Sequence, residues 1–88
     1  MVHVKSVKSL GDFRLRIAFD DGSAGEHDFV SMVNESGPMV EPLRDPNYFQ
    51  RVFLDFGALT WPNGFDACPD WRHQQMERAG ELSREAAE

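Results

Sequence analysis

The chain has 88 residues, with fifteen acidic against nine basic side chains and a formal net charge of −6. That length holds one small hydrophobic core, and seven phenylalanines and two tryptophans are its large pieces. A single cysteine excludes an internal disulfide, and no stretch approaches the roughly 20 apolar residues of a membrane-spanning helix.

The first ten residues, MVHVKSVKSL, lack the apolar run of a signal peptide, so a reduced, cytoplasmic protein is expected. Val2, Val4 and Val7 suggest a first strand, and their parity breaks near Ser6, where a bulge or face switch is predicted. Residues 13–19 alternate strictly, with Phe13, Leu15, Ile17 and Phe19 on one face and Arg14, Arg16 and Ala18 on the other. This is the pattern of a half-buried strand. Asp20, Asp21 and Gly22 supply a turn, and the polar return from Ser23 to Phe29, interrupted by Gly25, reads as an edge strand.

The texture then changes. Residues 29–33 allow one helical turn before the breaker-rich Asn34 to Pro38, and Met39 to Leu43 suggest another. Asp45 and Pro46 mark a helix start, because an Asp side chain caps exposed amides and Pro needs no partner at the first position. Two short strands, 53–56 and 58–61, are predicted to hinge at Gly57. The tail reads as helix from Asp70 to about Arg78, with residues 81–88 frayed. The expected fold is α+β: one domain over residues 1–80, about three antiparallel strands and then two, short helices between, and a C-terminal helix. Its core is predicted to contain Phe13, Leu15, Ile17, Phe19, Phe29, Leu43, Phe49, Val52, Leu54, Phe56 and Trp61.

The densest stretch, LTWPNGFDACPDW, raises the question of an active site. Each residue has structural work available. Pro62 ends a ladder after Trp61, Asn63-Gly64 is a turn pair, Asp66 can fold onto nearby amides, and Asp70 can cap the helix that follows Pro69. A catalytic or metal role would centre on Cys68. His73, five residues on, diverges by about 140° around a helix, and further ligands would have to come from His3, His27 or an aspartate without any CxxC or HxxxH spacing. His27 and Asp28 are neighbours in a strand and point to opposite faces. The sequence therefore predicts no catalytic residue, cofactor or metal, with a thiol- or metal-dependent enzyme at Cys68 as the alternative.

Charge points toward partners. Residues 29–70 carry Arg44 and Arg51 against Glu35, Glu41, Asp45, Asp55, Asp66 and Asp70, a balance of −4. Such a surface repels phosphates and suits a basic protein, so direct nucleic-acid binding is not expected and a protein partner is. Self-association is the second possibility. Glu35, Glu41 and Asp55, which have no obvious capping work, are the candidate partner-binding residues.

Several short motifs occur together: Phe19-Asp20-Asp21-Gly22, Asp28-Phe29, Gly37-Pro38, Pro42-Leu43-Arg44-Asp45-Pro46, Phe49, Trp61-Pro62-Asn63-Gly64-Phe65-Asp66 and Cys68-Pro69-Asp70. In this combination, over about residues 3–74, the chain resembles the bacterial family catalogued as domain of unknown function 2442. The resemblance implies a small α+β fold similar to the N-terminal domain of a Nitrosomonas protein. It also implies a setting in which some members are fused to a helix-turn-helix domain and others stand beside a small companion, as in toxin–antitoxin pairs. It carries no catalytic residue to this chain. The motif residues, Asp21, Gly22, Asp45, Pro46, Trp61, Pro62, Asn63, Gly64, Asp66, Pro69 and Asp70, are expected to determine the fold.

Overall fold

A computed structural model describes residues 1–84. The elements run β1 (Val4–Gly11), β2 (Arg14–Phe19), β3 (Ser23–Asp28), α1 (Val30–Val33), a 3₁₀ turn (Glu41–Arg44), α2 (Pro46–Phe49), β4 (Phe53–Asp55), β5 (Ala58–Thr60), β6 (Asp66–Ala67), α3 (Pro69–Arg78) and β7 (Ser83–Arg84). They form two antiparallel sheets, ordered β1-β2-β3-β7 and β4-β5-β6. The fold is α+β as expected, with one strand more in each sheet than the sequence suggested.

The alternation in β2 holds except at Ala18, which is expected on the wet face but is buried. Leu15, Ile17 and Phe19 are fully buried, while Arg14 and Arg16 stay exposed. The parity break in β1 is a bulge, because the register with β2 shifts between Val4 and Ser6. A second irregularity, between Ser9 and Gly11, was not foreseen, and it leads into a two-residue hairpin. Asp12 and Phe13 both have positive φ there (54° and 62°), the signature of a type I′ turn. Phe13 therefore starts no strand, but its ring still reaches the core and meets Phe49 edge-on at 5.3 Å.

One continuous core joins the two sheets. Val4, Leu15, Ile17 and Phe19 come from the first, Leu59 and Ala67 from the second, Trp61 from the turn that follows β5, and Met32, Val33, Leu43, Phe49 and Met76 from the helices and turns. Trp61 sits at its centre with no exposure, and its indole Nε1 donates to the Phe49 carbonyl at 2.9 Å. That bond satisfies the one polar atom of a large buried ring.

Three expectations are corrected. Phe56 is not in the core: it is 93% exposed, because the chain reverses at Phe56-Gly57 rather than beyond it. Val52 and Leu54 are only partly buried against the core. The segment from Glu81 to Arg84 is not frayed; it returns to the first sheet, where Ser83 and Arg84 pair with Ala24 and Ser23, so β3 is not the edge strand expected. This return explains Gly25, since a Cβ there would overlap the Glu81 carbonyl. Residues 85–88 of the expected tail lie outside the described residues.

Candidate functional site

The motif residues act mainly within turns. Asp45 caps α2 as predicted: its carboxylate accepts from the Asn47 amide at 3.0 Å, and Pro46 opens the helix. Asn63, not Asp66, closes the turn after Trp61, accepting from the Phe65 amide at 3.1 Å and donating from Nδ2 to the Met39 carbonyl. Asp66 lies exposed in β6. Asp70 does not cap α3. The cap position is Cys68, which makes no side-chain capping bond, while Asp70 accepts from the Val2 amide at 2.8 Å and so ties the N-terminus to the helix.

The three histidines face three different carboxylates: His3 with Asp20, His27 with Glu81 and His73 with Asp21. The last pair belongs to a denser cluster. Ser23 Oγ donates to Asp21 Oδ1 at 2.6 Å, and His73 Nε2 lies 2.8 Å from Asp21 Oδ2 and 3.3 Å from Ser23 Oγ. Serine, histidine and aspartate are thus together, but in the wrong order for a nucleophile. A triad sets serine and aspartate on opposite ring nitrogens, whereas both here meet Nε2, and the hydroxyl gives its proton to the carboxylate directly. The cluster is a lock between the β2–β3 turn and α3. The Ser23 hydroxyl beside Asp21 holds its carboxyl below the ordinary value of 3.8. Among the described residues, no three His, Cys, Asp or Glu side chains converge as a metal site.

Cys68 and His73 part company. Cys68 is exposed and lines a groove of about 430 Å³ between α1 and the start of α3, whereas His73 lines a separate hollow of about 220 Å³. Arg72 belongs to the larger groove and is the residue that the sequence reading missed. It is 8% exposed, with its guanidinium 4.9 Å from the Phe29 ring and 4.8 Å from the Trp71 ring. Nη1 donates to Gln75 Oε1 at 2.6 Å and Nη2 meets the Met32 sulfur at 3.5 Å, while Nε has no partner among the described residues. Burial pushes its pKa down, and Glu35 opposes that shift. Nothing in the spacing of WRHQQ announced a buried cation, because its walls come from Phe29 and Met32, some 40 residues away in sequence.

The candidate partner residues are all exposed but belong to different places. Glu35 lines the Arg72 groove, and its carbonyl accepts from Arg44 at 2.9 Å. Glu41 stands in the first turn of the 3₁₀ helix, and Asp55 ends β4 next to Phe56. The β4–β5 turn has positive φ at both central residues, Phe56 (51°) and Gly57 (78°). Gly57 is required by more than its φ, since a Cβ would collide with the His3 side chain.

Two small antiparallel sheets, one shared aromatic core and turns fixed by Asp and Asn side chains define a compact α+β protein without a recognisable catalytic constellation among its described residues. The model of the family described as "Protein of unknown function (DUF2442)" matches residues 4–71, and the chain belongs to that family. The match shows the family, not the likeness to a Nitrosomonas domain. No curated protein and no solved structure matches the chain.

Proposed function

We propose that this protein is an interaction module that binds a small basic protein, in the manner of the antitoxin half of a pair. The observation that carries this reading is the β4–β5 hairpin tip. Phe56 is 93% exposed and holds a left-handed backbone conformation that phenylalanine adopts only at a cost. Type I′ turns favour Asn or Gly at this position. An aromatic side chain that is both strained and solvated is better explained by an external contact than by folding. Phe53, 45% exposed in the adjoining strand, extends the apolar surface, and Asp55 between them supplies negative charge. A chain of net charge −6 adds long-range attraction for a basic partner.

The test is co-purification from host cells with wild-type protein and Phe56→Asn in parallel. A basic protein in stoichiometric amount with the wild type, and its loss with the variant, supports the reading; equal recovery with both contradicts it. Asp55 is proposed as a rim charge beside Phe56, with Glu35 and Glu41, elsewhere on the surface, adding long-range attraction. Changing all three to Lys is expected to slow association with that partner about tenfold or more at low salt, with little change in thermal midpoint. A self-associating protein would instead show a Phe56-dependent dimer in sedimentation velocity.

A further inference from the structure

The unused feature is the guanidinium of Arg72. An arginine has two faces for a carboxylate, and the side-on face is the edge formed by Nε and Nη2. Here Nη1, the other terminus, is fixed by Gln75. Among the described residues the side-on edge has no partner at Nε and only a thioether at Nη2, and a thioether is a weak acceptor. A buried cation is normally matched by a carboxylate or several carbonyl groups. Arg72 has instead two aromatic faces, one amide oxygen and the charge of Glu35, with no hydrogen bond to a carboxylate among the described residues.

A second observation lies in the same groove. α3 begins without a side-chain cap, so the partial positive charge of a ten-residue helix opens beside Cys68 and Trp71, which line the groove with Arg72. The two features are independent, one a side chain and the other a backbone end, and both border one groove, with Asp70 in the first turn offsetting part of the helix's positive end. The volume, about 430 Å³, lies within the roughly 300–1,000 Å³ typical of small-molecule sites.

The rest of the lining limits which anion fits. Asp28, Glu35 and Asp66 stand around the same groove, so a phosphate or a dicarboxylate would meet more repulsion than attraction. We propose that the Arg72 groove binds a small zwitterion: its carboxylate lies side-on against Arg72 and the start of α3, its cationic group toward Glu35 on the groove's acidic lining, and its carbon chain against Trp71. Met32 is the gate. Its flexible thioether yields the Nη2 position to the incoming carboxylate. Such a ligand comes from two sources, a free amino acid or the C-terminal basic residue of a peptide. This site goes beyond the partner reading and depends on no partner.

The test is a titration of isotope-labelled protein with L-arginine, following the Arg72 Nε–H resonance. The rate at which a thiol reagent modifies Cys68, the chain's one cysteine, is a second readout. The expected result is a saturable shift of Nε–H and slower Cys68 modification. Argininamide, which lacks the carboxylate, and acetate, which lacks the cation, are each expected to bind about tenfold or more weakly than arginine. The peptide Gly-Gly-Arg with a free C-terminus separates the sources: binding as tight as arginine assigns the site to chain ends, and weaker binding assigns it to free amino acids. Glu35→Gln, an exposed change that spares the fold, is expected to weaken arginine severalfold and leave acetate unchanged. Arg72→Lys, checked for folding by circular dichroism, is expected to abolish the carboxylate preference. Absence of a saturable Arg72 shift at millimolar arginine overturns the proposal, and so does equal binding of arginine and argininamide.

Discussion

Two phenylalanines occupy the central positions of two-residue hairpin turns with positive φ, Phe13 at 62° and Phe56 at 51°. Each is held in a conformation that costs an L-residue about 1–2 kcal/mol. The first recovers that cost. Its ring packs on the core and meets Phe49 edge-on at 5.3 Å; partial burial contributes a share of the about 1.5–3 kcal/mol of a fully buried ring, with up to about 1.5 more from ring geometry. The second recovers nothing within the described chain, since Phe56 is 93% exposed. The same local strain is thus a folding device at one turn and a loose end at the other. A loose end of this kind is where a binding function is most economically sought.

The largest effect tests the supported turn. Phe49 touches the rings of Phe13, Phe29 and Trp61, and its carbonyl receives the Trp61 indole. Phe49→Ala is expected to cost about 3–5 kcal/mol in chemical denaturation. Phe13→Ala, at a half-buried position, is expected to cost about 2 kcal/mol, and most of that cost should vanish in the Phe49→Ala background. An additive double mutant would mean that Phe13 earns its strained turn elsewhere.

A smaller effect tests the third hairpin, where positive φ falls on Gly22 and the turn is fixed by polar groups instead of a ring. Asp21→Ala removes the acceptor of the Ser23 amide and hydroxyl and the partner of His73, and is expected to cost about 1–2 kcal/mol. Ser23 holds the Asp21 carboxyl below its ordinary 3.8, so the folded state favours the ionised form. That contribution is present above the ordinary value and is lost as pH falls through the lowered one. The gap between wild type and Asp21→Ala in thermal melts should therefore narrow as pH falls from about 5 through and below the ordinary 3.8. A gap that persists unchanged would remove Asp21 ionisation from the account.

The smallest effect concerns the bare start of α3. Cys68 occupies the cap position with extended backbone (φ −62°, ψ 122°) and makes no capping bond. Serine is a preferred cap there, so Cys68→Ser is expected to raise stability by up to about 1 kcal/mol in denaturant melts. A loss of similar size would show that the thiol has packing or chemistry that its exposed position does not reveal.

What the sequence disclosed and what it hid divide along range. The face of β2, the bulge near Ser6, the Asp45 cap and the central burial of Trp61 follow from neighbours a few residues apart, and all were legible. Strand parity puts Phe56 inside only if β4 continues past Asp55, and the chain turns there instead. Asp70 was read as a cap because its local setting suits one, but the Val2 amide, 68 residues away in sequence, claims its carboxylate. The pairing of Ser83 and Arg84 with β3 is only two residues long, too short to leave a periodic trace. The Arg72 groove was invisible for the same reason: its walls are assembled from three distant segments. The charge pattern that suggested Glu35, Glu41 and Asp55 marks exposure, and exposure alone does not gather them.

The central claim is that Phe56 does no work for the fold. Its most direct test is the thermal midpoint of Phe56→Asn, which swaps a strained residue for the one the turn geometry prefers. The midpoint is expected to exceed that of wild type by about 4–8 °C, corresponding to about 1 kcal/mol in a chain of this size. A lower midpoint would contradict it, because Phe56 would then be packing against the protein itself.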